Sequence, residues 1–195
     1  MCTHLTKDRD VQYKTARDLK EDKVVKLEIR KTDMNDISHS LFLGNHGACC
    51  TAVGTGANQY SAPTYIKNKM VSAIEVVDGD NFVGNTMCYI AQVDGKPALI
   101  LDNIELKADY HNNDVIRDAI IEYAKKLCAE IGQPDMPIYA GPYRHKLRME
   151  VFEFSKHQMQ IVGNTGNDDI YLDFITKGRE VTGDEVDNVE LYKIR

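Results

Sequence analysis

The chain has 195 residues, 43% of them apolar, 8% aromatic and 28% charged, with five cysteines and no tryptophan. A chain of this length buries roughly 70% of the surface its unfolded form exposes, so a core forms without metal or disulfide staples, and a collagen-like, disordered or disulfide-scaffold chain is excluded. The 24 Lys and Arg against 30 Asp and Glu leave a net charge of -6, which repels a phosphate backbone, so no nucleic-acid partner is expected.

No apolar run reaches the roughly 18 residues that a membrane helix needs, and the opening MCTHLTKDRD is too polar for the core of a signal peptide. No membrane partner is expected. Cys2, Cys49, Cys50, Cys88 and Cys128 form no CxxC pair and are odd in number, which argues against a disulfide framework or zinc knuckle and for a reducing, cytoplasmic compartment.

Charge divides the chain. Residues 1–39 hold 9 basic and 8 acidic side chains and form an N-terminal lead-in, whereas residues 40–195 hold 15 basic and 22 acidic ones and form the domain proper. In the lead-in, DVQYKTARDLKEDK suits a short helix, and Val24, Val25, Leu27 and Ile29 alternate with Lys26 and Glu28 as one strand. Gly44, Gly47, Gly54 and Gly56 then imply tight turns or close backbone approach. TYIKNKM suits a brief helix.

Three strand patterns follow in the order MVSAIEVV, FVGNTMCYIAQV and PALILDNIEL, with the last two joined at Asp94–Gly95, a strong hairpin signal. The period then changes. Ile116, Ala119, Ile120, Tyr123, Ala124, Leu127 and Ile131 recur every three or four residues, with Asn112 or Asn113 as cap and Gly132 and Pro134 as stop. MPIYAG reads as a further strand, so PALILDNIEL, the helix and MPIYAG make a strand–helix–strand crossover with parallel pairing. Beyond it RHKLRMEVFEFSKHQ suits an amphipathic helix with Leu147, Val151 and Phe154 inward, and MQIVG, DIYLDFI and VELYKI suit strands. The fold expected is α+β, or mixed α/β, with a mostly antiparallel twisted sheet.

This order resembles, in degenerate form, the GNAT-type N-acetyltransferases, the acyl-coenzyme-A-dependent transferases, mainly over residues 70–142. The resemblance implies a donor site for acetyl-CoA or another acyl-CoA, and an amine on a small molecule or protein as acceptor. It also implies that the backbone of Asn103, Ile104, Glu105 and Leu106 pairs with the pantetheine arm, and that the N–H groups of Asn112, Asn113, Asp114 and Val115 meet the pyrophosphate at the helix start. Glu105 stands where the family places a base. Tyr143, or more weakly Tyr139, stands where it places an acid for the leaving thiolate. The family's loop pattern, Arg/Gln-x-x-Gly-x-Gly/Ala, is replaced here by Lys107-Ala-Asp-Tyr-His-Asn-Asn-Asp-Val115, which lacks its glycines. A non-catalytic binding or scaffold domain of the same fold is therefore a second expectation.

A third comes from His46, Cys49 and Cys50, where an imidazole close to a thiol suits a cysteine nucleophile. Cys88 and Cys128 suit packing. No metal site is expected: the histidines at 39, 46, 111, 145 and 157 fit no zinc spacing, and Asp168, Asp169 and Asp173 lack the ordered calcium loop. The basic run Tyr143–Arg148 is balanced by the acidic C-terminal region, where residues 168–195 hold 8 acidic and 4 basic side chains.

Overall fold

A computed structural model describes residues 12–17, 24–47, 51–56, 59, 62–67, 71–141, 147–161, 170–171, 180–181 and 185–195. Its strands are β1 (Gln12–Arg17), β2 (Val24–Lys31), β3 (Val71–Asp78), β4 (Asn81–Val93), β5 (Lys96–Leu106), β6 (Ile138–Ala140), β7 (Glu153–Ile161), β8 (Ile170–Tyr171), β9 (Glu180–Val181) and β10 (Glu185–Lys193). Among the described residues, eight of them share one sheet in the order β1-β2-β3-β4-β5-β6-β10-β7, and β8 pairs with β9. Every pairing in the large sheet is antiparallel except β5 with β6. The α+β fold and its single parallel crossover are as the periodicities imply.

The helices are α1 (Ile37–Ser40), α2 (Leu43–Gly47), α3 (Ala62–Lys67) and α4 (Asp114–Glu130). α4 is the crossover helix. Its Ile116, Ala119, Ile120, Tyr123, Ala124 and Cys128 pack on Leu27, Ile29, Ile74, Val76, Leu101, Ile104 and Leu106 of the sheet. Each fully buried Leu or Ile there contributes about 1.5–3 kcal/mol, so this face anchors the helix regardless of any ligand. The Tyr123 hydroxyl also accepts a hydrogen bond from the Lys31 amide at 2.9 Å, which ties the helix to the outer strands.

The other face is held differently. β4 runs past the start of β3, and its Ala91, Gln92 and Val93 pair with Ile161, Gln160 and Met159 of β7. Since β7 pairs with β10, β10 with β6, and β6 with β5, these strands form a closed ring. Ala91, Val93, Ala98, Ile100, Tyr139, Met159, Ile161, Val189 and Leu191 pack together on one side of it. Where β4 meets β7, closure covers an edge that an open sheet must otherwise protect.

Glycine is required at two points that shape this part of the sheet. At Asp94–Gly95 the φ angles are 50° and 75°, the left-handed pair that a two-residue hairpin requires. At Gly84 a Cβ would meet the Glu105 carbonyl oxygen at 2.1 Å, so only glycine lets β4 lie this close to the end of β5.

Two segments differ from the sequence expectation. Gln12–Arg17 is an edge strand paired residue by residue with Val24–Ile29, because the ladder with a strongly alternating neighbour outweighs a mixed-charge helical pattern. Of the expected helix over RHKLRMEVFEFSKHQ, Arg144, His145 and Lys146 lie outside the described residues, and from Leu147 the chain is instead a turn followed by β7. Leu147 is buried, but Val151 and Phe154 are 64% and 47% exposed, and Phe154 stacks on Tyr192 of β10 at 4.9 Å. From Ser155 onward the inward residues are two apart, so pairing with β10 overrides the helical spacing. Of DIYLDFI, only Ile170 and Tyr171 fall within the described residues.

Candidate functional site

Among the described residues β5 and β6 pair only through Leu99–Ile138, Ile100–Tyr139 and Leu101–Ala140, and the last rung is closed by the Gly141 amide on the Leu101 carbonyl at 3.0 Å. β5 continues to Leu106 with β4 on one side and, among the described residues, no strand on the other. The parting coincides with a bulge. Thr86 faces Ile104 and Cys88 faces Leu101, so Asp102 and Asn103 together oppose Met87. Such an extra residue redirects side chains and interrupts the ladder. Both residues are buried, the Asp102 carboxylate accepts from the Asn103 amide at 2.8 Å, and the Thr86 hydroxyl donates to the Asp102 carbonyl at 3.1 Å.

A row of polar side chains leads across the sheet to this opening. Arg30 lies opposite Glu75, Glu75 opposite Asn85, and Asn85 opposite Glu105. Directly opposed residues share a face. Glu75 is 1% exposed, and its carboxylate receives Arg30 Nε at 2.9 Å, the Thr32 hydroxyl at 2.7 Å and His39 Nε2. A carboxylate only accepts, so His39 Nε2 carries the proton. Asp36 caps α1 by accepting from the His39 amide, and the Ser38 hydroxyl, followed by that amide, holds its carboxyl below the usual range. His46 of α2 lies beside both His39 and Phe82, with ring centroids 5.8 and 5.4 Å apart. Asn85 is 7% exposed, and its side-chain oxygen is buried without a hydrogen-bond donor.

The start of α4 is already occupied. The Asn113 side-chain oxygen accepts from the amides of Val115 and Ile116 at 3.0 and 3.3 Å. Asp114 pairs with Arg117 at 2.8 Å. In the preceding loop the Tyr110 hydroxyl donates to Asp78 at 3.2 Å, and His111 Nε2 donates to the Leu106 carbonyl at 2.9 Å. Of the donors at this helix start, the Val115 and Ile116 amides are met by Asn113 itself, and Asp114 adds negative charge where a pyrophosphate would lie. This helix start does not fit a pyrophosphate.

The expected residues therefore separate into groups. Glu105 ends the polar row at the open edge, next to the bulge at Asn103. Ile104 and Leu106 bury their side chains under α4, leaving only their backbone for a ligand. Asn112, Asn113, Asp114 and Val115 gather at the capped helix start. Tyr143, Cys49 and Cys50 lie outside the described residues. Tyr139 pairs with Ile100, five residues of extended chain from Glu105, or about 16 Å, which is too far to serve the same reacting atoms. Burial, then Asp94 and Glu153, push its phenol up.

Cys88 and Cys128 are free and buried, as packing residues should be. Burial pushes the Cys88 thiol up to about 12, so it is no nucleophile at neutral pH. A cavity of about 110 Å³ lies beside them, between β3–β5 and the C-terminal half of α4, against Ser72, Leu127 and Ile131. Among the described residues no group of three or more His, Cys, Asp or Glu could hold a metal ion, and no helix is long and apolar enough to cross a membrane. Sequence reasoning missed Glu75, His39 and Asn85. The signal was present only as polar residues inside strands, and cross-strand register was needed to align them.

No protein-family model matches the sequence, and no curated protein matches it. Solved structures to which the chain is similar include an aminoglycoside acetyltransferase from an uncultured soil metagenomic sample, at 15% identity and TM-score 0.42, over 58% of this chain and 78% of that one. Another is the ribosomal-protein-alanine N-acetyltransferase of Brucella melitensis biovar Abortus 2308, at 18% identity and TM-score 0.43, over 60% and 82% of the two chains. A third is a probable N-acyltransferase of Enterococcus faecalis V583, at 13% identity and TM-score 0.41, over 69% of this chain and 35% of that one. The likeness is one of chain path.

Proposed function

We propose that the chain is an acyl-CoA-dependent N-acyltransferase-like domain of the cytoplasm, acting on an amine of a small molecule or a protein. The observation that carries this reading is the edge of β5 beyond Leu101, where the strand bulges at Asp102–Asn103 and parts from β6. Backbone groups on such an edge can pair with the amides of a pantetheine arm as a further strand would. A bound acyl-CoA would supply the thioester. The chain's part is then to hold that arm along Asn103–Leu106, to take the acceptor's proton on the Glu105 carboxylate, and to return a proton to the leaving thiolate from Tyr143.

The acyl-accepting amine, charged in water, must lose protons before and during attack. The row behind Glu105 suits that task, because Asn85 and Glu105 stand opposite each other with acceptor oxygens to offer, while Arg30, Thr32 and His39 occupy Glu75. Glu75 thereby serves as a fixed support for the row.

One observation favours the non-catalytic reading: Asn113 takes the Val115 and Ile116 amides at the helix start. The two readings part in a calorimetric titration with acetyl-CoA and, separately, acetyl-pantetheine, which lacks the nucleotide and pyrophosphate. The transferase reading expects both to bind, with nearly equal affinity because the pyrophosphate finds no partner, and expects Glu105→Gln to abolish transfer to a panel of amines. Absence of binding by both donors, with no transfer, overturns it in favour of the scaffold reading.

A further inference from the structure

The far end of β5 carries a second constellation. His157 of β7 places Nε2 2.8 Å from the Ser155 hydroxyl and Nδ1 2.7 Å from the Asp94 carboxylate. Ser155 and His157 are two apart on one strand and so point to the same side. They lie opposite Leu191 and Val189, whose side chains belong to the core of the closed ring. Asp94 comes from the β4–β5 hairpin, where its φ of 50° and a second hydrogen bond, from the Gln158 amide at 3.0 Å, fix its carboxylate beneath the imidazole.

The proton positions follow from the partners. An ionised carboxylate only accepts, so Nδ1–H donates to Asp94, and in the neutral ring Nε2 is then bare and accepts from the Ser155 hydroxyl. Hydrogen bonding from His157, then from Gln158, holds the Asp94 carboxyl below its usual range, which keeps it ionised in that role. The Tyr139 ring braces the imidazole edge-on at 5.0 Å. Lys193, opposite both Glu153 and Tyr139 in register, lies one diagonal step from Ser155 on the same side.

We propose that Ser155, His157 and Asp94 form a nucleophilic triad at the rim of the strand ring, which cleaves carboxylic esters of small, apolar acyl groups. The relay from serine through both imidazole nitrogens to a carboxylate is the arrangement that makes a serine hydroxyl reactive, independent of the fold that carries it. The Tyr139 ring, edge-on to the imidazole and lying over the buried Leu191 and Val189, offers the acyl group an apolar contact, and Lys193 supplies a cation for the developing oxyanion.

The chemistry balances with water as the only co-reactant. The Ser155 oxygen bonds to the acyl carbon while its proton passes to Nε2; the ester C–O bond breaks, and the alcohol leaves with that proton. Water then bonds to the acyl carbon as Nε2 takes its proton, the Ser155–acyl bond breaks, and the proton returns to the serine oxygen. This site lies at the hairpin end of β5, and the proposed transferase site lies at the other, so each stands without its neighbour.

The test uses the full chain with a fluorophosphonate probe and p-nitrophenyl acetate. The expected result is one phosphonyl adduct, mapped by mass spectrometry to Ser155, and ester hydrolysis that falls by about a hundredfold in Ser155→Ala and in His157→Ala. Asp94→Asn, which keeps shape and loses the charge, lowers both readouts with the melting temperature used as a folding control. No adduct on Ser155 of the folded protein, or hydrolysis undiminished in Ser155→Ala, overturns the proposal.

Discussion

The two faces of the central sheet are stabilised by different means. Under α4 the contacts are apolar and continuous, from Leu27 and Ile74 to Ile120 and Cys128. The face that bears α1 and α2 has a buried carboxylate at its middle, Glu75, with Asn85 and Glu105 in line behind it. An apolar face loses stability in proportion to the volume removed. A buried charge loses it when any one partner leaves, because desolvation is then uncompensated. The contrast separates scaffold from site: a polar row this deep costs stability that an apolar row would not.

The largest expected effects break this contrast directly. Glu75→Ala strands Arg30 and His39 and removes about 3–5 kcal/mol, whereas Ile120→Ala on the opposite face removes about 2–5 kcal/mol through its cavity. Their partial replacements differ more clearly. Ile120→Val costs only about 0.5–1.5 kcal/mol, while Glu75→Gln keeps the shape and still loses most of the Glu75 effect. Urea unfolding of the four variants checks the order, and a Glu75→Gln protein as stable as the parent would remove the distinction between the faces.

A smaller effect sharpens the comparison at the helix start. Asn113→Ala gives up the cap on Val115 and Ile116, with a loss of about 0.5–2 kcal/mol. It also frees the two donors. If the cap is what excludes a pyrophosphate, inorganic pyrophosphate raises the melting temperature of Asn113→Ala and leaves that of the parent unchanged. Equal responses from the two would place the exclusion elsewhere, with Asp114 the next candidate.

Thiol reactivity distinguishes the buried α4 face by rate. Cys88, with its thiol pushed up to about 12 by burial, is expected to react with iodoacetamide at neutral pH only as fast as the fold opens, and fully in denaturant. Peptide mapping over time checks this. Rapid labelling of Cys88 in the folded protein would show that the α4 face is open to solvent.

These properties were unequally legible in the sequence. The β3–β4–β5 meander, the Asp94–Gly95 hairpin, α4 with its Asn113 cap and the parallel return in MPIYAG all rest on local periods and turn chemistry, which short stretches of sequence specify completely. β7 was not legible, because Leu147, Val151 and Phe154 fall at helical spacing while the strand is dictated by β10, some thirty residues away in sequence. The polar row was hidden for a related reason. Arg30, Glu75, Asn85 and Glu105 come from four strands, and only the registers align them. The bulge at Asp102–Asn103 changes the face of everything after it, so alternation alone misassigns the end of β5.

The smallest expected effect concerns acid stability. Asp94 and Asp36 both have carboxyl groups held below their usual range, Asp94 chiefly by His157 and Asp36 chiefly by Ser38. A carboxyl whose folded-state value is depressed contributes stability that is complete above its unfolded value, near 3.8 here, and that is lost as pH falls through the folded value. Both groups are exposed and screened by solvent, so each contribution is small. Asp94→Asn is thus expected to flatten the acid limb of the melting curve below about pH 4, with little change at neutral pH beyond the loss of one hydrogen-bond acceptor for His157. Asp36→Asn flattens it through the α1 cap instead. The two act through separate partners on different strands and helices, so their effects should add. A double variant with a larger loss than the sum would mean that the hairpin rim and the polar face unfold as one unit in acid, and that the two faces of the sheet are less independent than their chemistry implies.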